Sequence, residues 1–146
     1  MKIRYDTVKT SYNDEHCYVH ARGVILSDGF GLITMQKLVL SGIDLFHGIE
    51  MIKTADAGKS FCTPQDCVNL RREYFEDGTS RSLSDATPFY HKKSGKIILT
   101  GHMVWYTEDG RVLRTRPRDA FYSVYDSAIG DFQKPRIIEM PRTEND

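Results

Sequence analysis

The sequence lacks a long run of apolar residues. Its 146 residues contain no stretch approaching the ~18 consecutive apolar residues of a membrane-spanning helix. The first residues, MKIRYDTVKTSYNDEHC, also lack the apolar segment of a secretory signal peptide. We therefore expect no membrane partner and a cytoplasmic location.

The sequence also lacks an excess of charge of either sign. Its 20 lysine and arginine residues are balanced by 20 aspartate and glutamate residues. A chain without net charge has no overall field that would attract nucleic acid or an anionic membrane surface. We therefore expect no nucleic acid as a partner.

Cysteine is scarce, with Cys17, Cys62 and Cys67 as the three residues of this type. An odd number argues against a disulfide framework, and the spacing Cys62-x4-Cys67 is not that of a CxxC pair. His16 and His20 have a metal-ligand spacing in a helix, but the β-branched residues around them favour a strand. We expect no metal and no cofactor.

Turn signals are frequent, and the segments between them are short and rich in β-branched and aromatic residues, which is typical of β-hairpins. Four glycine-containing pairs give the signal: Asp28-Gly29, Asp77-Gly78, Ser94-Gly95 and Asp109-Gly110. We predict strands over residues 17–26, 31–40, 46–54, 69–76, 87–92, 96–107, 120–126 and 136–140. The alternative is a helix within 31–53, which Ser41-Gly42 and Gly48 would interrupt. The sequence thus predicts an all-β fold of antiparallel sheets.

Residues 54–61, TADAGKSF, contain the Gly-Lys-Ser that ends a nucleotide-binding P-loop. A P-loop also needs a glycine five residues before Gly58, and that position is Lys53. The following residues, FCTPQDC, contain a proline and no helical apolar period, whereas a P-loop leads into a helix. This pattern excludes a P-loop.

The same eight residues match the Asp-box turn, S/T-x-D-x-G-x-[ST]-[WF]. The defined positions are Thr54, Asp56, Gly58, Ser60 and Phe61. An aspartate in a tight turn can accept hydrogen bonds from backbone N–H groups, and the glycine can adopt a positive φ. An ordinary polar hairpin is the alternative. We predict a structural turn with no catalytic role, in which Asp56 binds backbone amides.

Four runs together resemble the sialidase-like (neuraminidase, BNR-repeat) β-propellers: VHARGVIL, LITMQKLVLSGIDLFHGIEMIKTADAGKSF, PFYHKKSGKIILTGH and RDAFYSVYD. The resemblance covers about residues 16–130. In that family an arginine on an early strand and an aspartate in a later loop precede the first Asp-box, and Arg22, Asp44 and Thr54–Phe61 have this order. The usual Arg-Ile-Pro is Arg22-Gly23-Val24 here, and the Asp-box has Phe where Trp is commonest.

The resemblance implies a partial propeller of the six-bladed sialidase type, built from antiparallel four-stranded sheets. A blade takes roughly 40–45 residues, so the chain holds about three blades, whereas propellers close with four to eight. We expect one partial propeller domain over 1–146, with an N-terminal strand or arm (1–15), blades (16–130) and a mobile tail (141–146). Such a chain is either a truncated reading frame or one whose unpaired blade edges promote self-association.

The resemblance also implies the chemistry of an exo-sialidase, a glycoside hydrolase, acting on a sialoside-like anionic glycan. Asp44 would be the catalytic acid/base, Arg22 would bind the substrate carboxylate, and Lys37 and His91 would contact the substrate. His102, across the same hairpin as His91, is also placed to line a sugar cleft. Each of these residues has a structural alternative, as an exposed strand, turn or strand-end residue.

The family's tyrosine nucleophile and the glutamate that activates it are expected in blades beyond this chain. We therefore expect the isolated chain to be inactive. The alternative function is that of a non-catalytic propeller that binds carbohydrate or protein.

Overall fold

A computed structural model describes residues 12–42 and 44–142 of the chain. The predictions for residues 1–11 of the arm and 143–146 of the tail lie outside these residues. The described chain is all-β with antiparallel pairing, as the turn pattern predicts. Its strands are β1 (His16–Ile25), β2 (Gly31–Val39), β3 (Phe46–Thr54), β4 (Gln65–Asp66), β5 (Glu73–Tyr74), β6 (Ser80–His91), β7 (Lys96–Tyr106), β8 (Ala120–Asp126), β9 (Asp131–Phe132) and β10 (Arg136–Ile138).

The first sheet is four-stranded and has the order β1-β2-β3-β4. Its hairpins follow the predicted turns. Gly29 adopts a φ of 91° between β1 and β2, where a side chain would be strained, and this explains the Asp28-Gly29 signal. The turn 54–61 connects β3 to β4, which pairs with β3 at Glu50 and Met51.

The second sheet is six-stranded, with the order β10-β8-β7-β6-β5 and with β9 paired to β8. The expectation of four-stranded sheets throughout is therefore wrong for this half of the chain. The extra strands are the short segments β9 and β10, which follow β8 and pair with it in succession, opposite β7. One of the sheets curls into a half-barrel.

Two further predictions from the sequence are wrong in detail. The segment 69–76 is not one continuous strand. It begins with the end of a 3-10 helix (Val68–Leu70), and within it the two residues of β5 form a strand. Strand β6 begins at Ser80 rather than at residue 87, since the serines of 80–84 are buried in pairing with β7. The helical alternative within 31–53 is also wrong, because β2 and β3 occupy this region.

The two sheets pack face to face, with β6 lying against β1, β2 and β3. Their inner faces form one apolar core, and full burial of each large aliphatic side chain contributes about 1.5–3 kcal/mol. The buried residues are Leu32, Ile49, Met51, Cys67, Leu70, Leu83, Ala86, Ile97, Leu99, Met103, Phe121 and Phe132. This core fixes the relative positions of β1 and β6, which carry the site described below.

The cysteines are free thiols in three different environments. Cys17 is half-buried, Cys62 is exposed, and Cys67 is fully buried. Burial raises the pKa of the Cys67 thiol, so this sulfur stays protonated and packs as a core side chain. In the ranges 12–42 and 44–142, no helix is long and apolar enough to cross a membrane.

Candidate functional site

A large cavity lies where the loop around Asp44 meets the loop that follows β7. Its volume is about 1180 Å³, and residues of the segments 41–42, 44–45, 109–112, 114–118 and 140–142 form its walls. We name it the arginine cavity after the five arginines that line it: Arg111, Arg114, Arg116, Arg118 and Arg142. Asp44 and Asp109 are the acidic residues among its lining residues. The cavity is therefore strongly basic in a chain that has no net charge.

Two of the five arginines already have acidic partners. The Nε of Arg111 lies 3.0 Å from Oδ2 of Asp109, and Nη2 of Arg116 lies 2.9 Å from Oδ2 of Asp77. The guanidinium of Arg116 also stacks on the ring of Trp105, 4.4 Å from its centroid. These contacts hold the loop 109–118 in place.

The other three arginines, Arg114, Arg118 and Arg142, have no carboxylate within ion-pair distance in the described part of the chain. Arg114 and Arg118 are exposed on the loop that leads into β8. Guanidinium groups bind carboxylates and phosphates through paired, charge-assisted hydrogen bonds. The arginine cavity thus presents three cations whose anionic partner would have to come from outside the described chain.

A smaller cavity of about 160 Å³ adjoins the arginine cavity, and Asp44 and Arg118 line both. We name it the histidine pocket. Its remaining lining residues come from β1, β3, β6 and β7: His20, Phe46, Ser84, Asp85, His102 and Val104. The pocket therefore lies between the two sheets at the end nearest the arginine cavity.

Three side chains of the histidine pocket form one titratable cluster. Asp85 lies between the two imidazoles, with Oδ1 at 3.3 Å from Nδ1 of His20 and Oδ2 at 3.8 Å from Nδ1 of His102. The His20 nitrogen is buried, and its contact with Asp85 lacks the alignment of a hydrogen bond, so it has no hydrogen bond within the described chain. A buried nitrogen without a hydrogen bond costs free energy, so its position beside Asp85 calls for a structural or functional reason.

Burial lowers the pKa of His102 below its ordinary value, and Arg118 and His20 lower it further. Asp85 acts in the opposite direction, but its effect is smaller than that of burial. His102 is therefore a neutral imidazole at pH 7, able both to donate and to accept a hydrogen bond.

Two facing β-bulges carry this cluster. In β1, His20 and Ala21 together oppose one residue of β2, and in β6, Asp85 and Ala86 together oppose Gly101 of β7. Gly101 is required because a Cβ there would lie 2.4 Å from the carbonyl oxygen of Ser84. Bulges redirect side chains and are frequent next to functional sites.

Backbone strain is concentrated at the same place. Four residues other than glycine have a positive φ in the described chain, and three of them line the histidine pocket: His20 at 55°, Asp44 at 53° and Asp85 at 52°. Each such conformation costs of order 1–3 kcal/mol and persists only where the surroundings enforce it. The fold therefore stabilises a strained arrangement around this pocket.

Buried polar side chains of β2 enforce this geometry. Gln36 is 1% exposed, and its Oε1 accepts hydrogen bonds from the backbone N–H of Asp85 and from the hydroxyl of Ser84, both at 3.2 Å. Its Nε2 donates to the carbonyl oxygens of Leu83 (2.7 Å) and His47 (3.1 Å). All four hydrogen-bonding positions of the amide are thus occupied, which fixes the start of the β6 bulge.

Thr34 connects the two bulges. Its hydroxyl lies 2.7 Å from the carbonyl oxygen of Ala86 and 3.3 Å from that of Arg22. The side chain is completely buried between the sheets. A single hydroxyl of β2 therefore sets the distance between the strand segments that carry His20 and Asp85.

The structure does not bring all the predicted site residues together. Asp44 lines both cavities, whereas Arg22, Lys37 and His91 line neither. Arg22 is exposed on β1, and its guanidinium donates to the carbonyl oxygen of Ala21. His91 lies at the far end of β6, where its Nδ1 is 2.8 Å from the hydroxyl of Ser94.

Lys37 has a partner on the outer face of the first sheet. Its Nζ lies 2.7 Å from Oε1 of Glu50, a side chain that is only 8% exposed. The hydroxyl of Tyr18 donates to the other carboxylate oxygen of Glu50 at 2.7 Å. The hydrogen bond to Glu50 raises the pKa of Lys37. Lys37 thus neutralises a buried carboxylate on the first sheet.

The turn 54–61 has the hydrogen bonds that its sequence predicts. Oδ1 of Asp56 accepts from the backbone N–H groups of Lys59 and Ser60, both at 2.9 Å, and Oδ2 accepts from the hydroxyl of Ser60 at 2.7 Å. Gly58 has a φ of 83°, and the ring of Phe61 lies over it. These contacts make a closed structural turn, and none of its residues is among those that line the two cavities.

Two features of the candidate site are found from the structure and not from the sequence: the contact of His20 with Asp85, and the arginines of 114–118 at one cavity. Asp85 and His20 are 65 positions apart, and no sequence pattern indicates that their bulges face each other. The sequence RTRPR (114–118) predicts an ordinary loop. Its closely spaced arginines could have indicated an anion-binding site. In the described chain, no group of three or more histidine, cysteine, aspartate or glutamate residues has the geometry of a metal site.

Comparison with known proteins assigns no family. No protein-family model matches the chain, and no curated protein is significantly similar to it. The cavities themselves are therefore the basis for a functional proposal.

Proposed function

We propose that the arginine cavity binds an anionic sugar and that the chain belongs to a sialidase-like propeller. The observation that carries the proposal is the group of three guanidiniums, Arg114, Arg118 and Arg142, which line one cavity and have no acidic partner within residues 12–42 and 44–142. Like charges gathered at one site raise the free energy of the unliganded protein, and a carboxylate ligand would relieve this repulsion. The cavity is also large enough for a monosaccharide.

The architecture supports the same proposal. The first sheet has four antiparallel strands in sequence order, and this is the arrangement of a propeller blade. The turn with the Asp-box pattern follows β3, and Arg22 and Asp44 precede it in the order that the resemblance described above implies. In this proposal the six-stranded sheet would correspond to later blades with additional edge strands.

For the isolated chain, we propose binding without hydrolysis. Asp44 lines the arginine cavity and could serve as an acid, but no tyrosine or glutamate is among the residues that line it. Tyr106 contacts the backbone of Asp44, but it is completely buried and its hydroxyl is engaged by the backbone. Burial raises the pKa of Tyr106, and this makes it a poor nucleophile.

Isothermal titration calorimetry with free sialic acid tests the proposal. The wild-type chain should bind the acid, and the carboxylate methyl ester should bind at least about tenfold more weakly. Arg114→Gln and Arg118→Gln should each lower the affinity by about 10- to 100-fold, since a hydrogen bond to a charged group is worth about 1.5–3 kcal/mol. A fluorogenic sialoside in the same preparation should show no turnover.

Arg136→Gln is the matched control, because Arg136 is exposed on β10 and does not line the cavity. Its affinity for sialic acid should equal that of the wild type. Equal losses in the cavity and control variants would refute a specific site. Turnover of the sialoside would contradict the binding-only role of this chain.

A further inference from the structure

The histidine pocket combines three independent features that neither the core nor the turn 54–61 requires. It contains two imidazoles around one carboxylate, a buried ring nitrogen without a hydrogen bond, and three strained backbone positions. Three of the four non-glycine residues with a positive φ in the described chain lie at this cavity, and such uncommon backbone conformations cluster at functional sites. A ligand bound in the histidine pocket would account for these features.

The charges of the pocket restrict which ligand group it can accept. Asp44 and Asp85 supply four carboxylate oxygens, which only accept hydrogen bonds, while Arg118 supplies one cationic donor. A second anion would be repelled by the two carboxylates, whereas a cation would be attracted by them and repelled by Arg118. A hydroxyl group suits the pocket because it can donate to a carboxylate and accept from an imidazole or guanidinium.

The size and position of the pocket define how much of a ligand it can take. Its volume of about 160 Å³ corresponds to about five water molecules at roughly 30 Å³ each. The pocket adjoins the arginine cavity, with Asp44 and Arg118 shared by the two. A ligand whose anionic group lies in the arginine cavity can therefore extend a short hydroxylated segment into the histidine pocket.

We propose that His20, Asp85 and His102 form a binding pocket for the hydroxyl groups of a polyhydroxylated carboxylate whose anionic end lies in the arginine cavity. The inference rests on the proposed anion site and adds the place where the hydroxyl groups of the ligand bind. Asp85 accepts from a ligand hydroxyl, and the imidazoles of His20 and His102 donate or accept according to tautomer. Gln36 and Thr34 are positioning residues that hold the two bulges at the required separation.

Three carboxylates of equal chain length test the pocket in the full chain: gluconate, hexanoate and 6-aminohexanoate. Gluconate should bind at least about fivefold more tightly than hexanoate, because each productive hydroxyl contributes about 1 kcal/mol. 6-Aminohexanoate should bind no more tightly than hexanoate. Tighter binding of the amino acid than of gluconate would overturn the hydroxyl assignment.

Asp85→Asn is the informative variant, since asparagine tolerates the positive φ of this position and keeps the side-chain size. It should reduce the preference for gluconate to less than about twofold and leave the affinity for hexanoate unchanged. His102→Leu should have the same effect and provides a second test if the first variant folds poorly. His91→Gln, at the far end of β6, is the control and should retain the full preference.

The outcomes separate the two proposals. If hexanoate and gluconate bind equally and both depend on Arg118, the hydroxyl pocket is wrong and the anion site stands. If gluconate is preferred but Asp85→Asn and His102→Leu keep the preference, the pocket is also wrong. If neither carboxylate binds, both proposals fail.

Discussion

The hydroxyl of Tyr106 donates a hydrogen bond to the carbonyl oxygen of Asp44 at 2.8 Å. The same hydroxyl accepts from the backbone N–H of Phe46 at 3.3 Å. A completely buried side chain of β7 thereby fixes the loop that contributes Asp44 to both cavities. The packing of the core and the geometry of the candidate site are linked through this one phenol.

We predict that Tyr106→Phe lowers the free energy of unfolding by about 1–3 kcal/mol, because it leaves two backbone groups without a buried partner. It should also weaken ligand binding, since Asp44 loses the contact that holds its backbone. Urea denaturation and calorimetric titration measure the two effects. Tyr90→Phe is the control, because Tyr90 is 39% exposed. Equal stability of both variants would contradict the proposed role of this hydroxyl.

The turn 54–61 predicts a specific pH dependence of stability. Hydrogen bonds from Ser60, Thr54 and Lys59 hold the pKa of Asp56 below its ordinary value. A carboxylate with a lowered pKa in the folded state stabilises the fold above its unfolded pKa, near 4, and this contribution is lost as the pH falls through the folded value. Asp56→Asn removes the titration and keeps the shape of the side chain.

The urea midpoint of Asp56→Asn should therefore lie below that of the wild type above about pH 5, and the difference should shrink below about pH 4. The pKa values of Asp77 and Asp109 are also lowered, but both proteins retain these residues, so they cancel in the comparison. A midpoint difference that stays constant down to pH 2 would show that Asp56 does not act through its charge.

Much of the fold could be predicted from local sequence, because the strands are bounded by turns with a strict conformational requirement. Gly29, Gly78, Gly95 and Gly110 all have a positive φ at the predicted turns. The exception is the segment 69–76, whose aromatic and charged residues are compatible both with one continuous strand and with the observed turn. There, packing of Leu70 into the core favours a 3-10 turn instead.

The candidate site could be predicted only in part, because it depends on contacts between distant strands. Asp44, which the order of motifs predicts as a site residue, lines both cavities. The pairing of His20 with Asp85 depends on two bulges and on Gln36, and no local pattern reports the register between sheets. Lys37 is the opposite case. Its basic side chain predicts a contact with an anionic substrate, whereas in the structure it forms an ion pair with Glu50.

We predict that Lys37→Met lowers the free energy of unfolding by about 1.5–3 kcal/mol, because Glu50 is buried and would lose a charged hydrogen-bonding partner. Gluconate and sialic acid should bind with unchanged affinity, as Lys37 lines neither cavity. Lys93→Met, an exposed residue of the turn before β7, is the control for loss of charge. Unchanged stability combined with lost binding would instead support a substrate contact.

The edge strand β10 gives the last prediction, which concerns self-association. This strand lies at one end of the six-stranded sheet, so one of its sides is not paired within the described chain. Ile138 is 47% exposed there, and Met140 just beyond it is 46% exposed. An apolar edge strand is a template for pairing with another chain, and a charged side chain placed on it opposes such pairing.

We predict that the wild-type chain forms dimers or larger species at micromolar concentrations and that Ile138→Lys shifts it towards the monomer. Sedimentation velocity over a concentration series measures the distribution of species. Ile129→Lys is the matched control, because Ile129 is 62% exposed in the turn between β8 and β9 and lies on no strand edge. The control should associate like the wild type, since added charge alone does not block edge pairing. If both lysine variants dissociate equally, the association depends on net charge and not on the β10 edge; a monomeric wild type would exclude the edge interaction altogether.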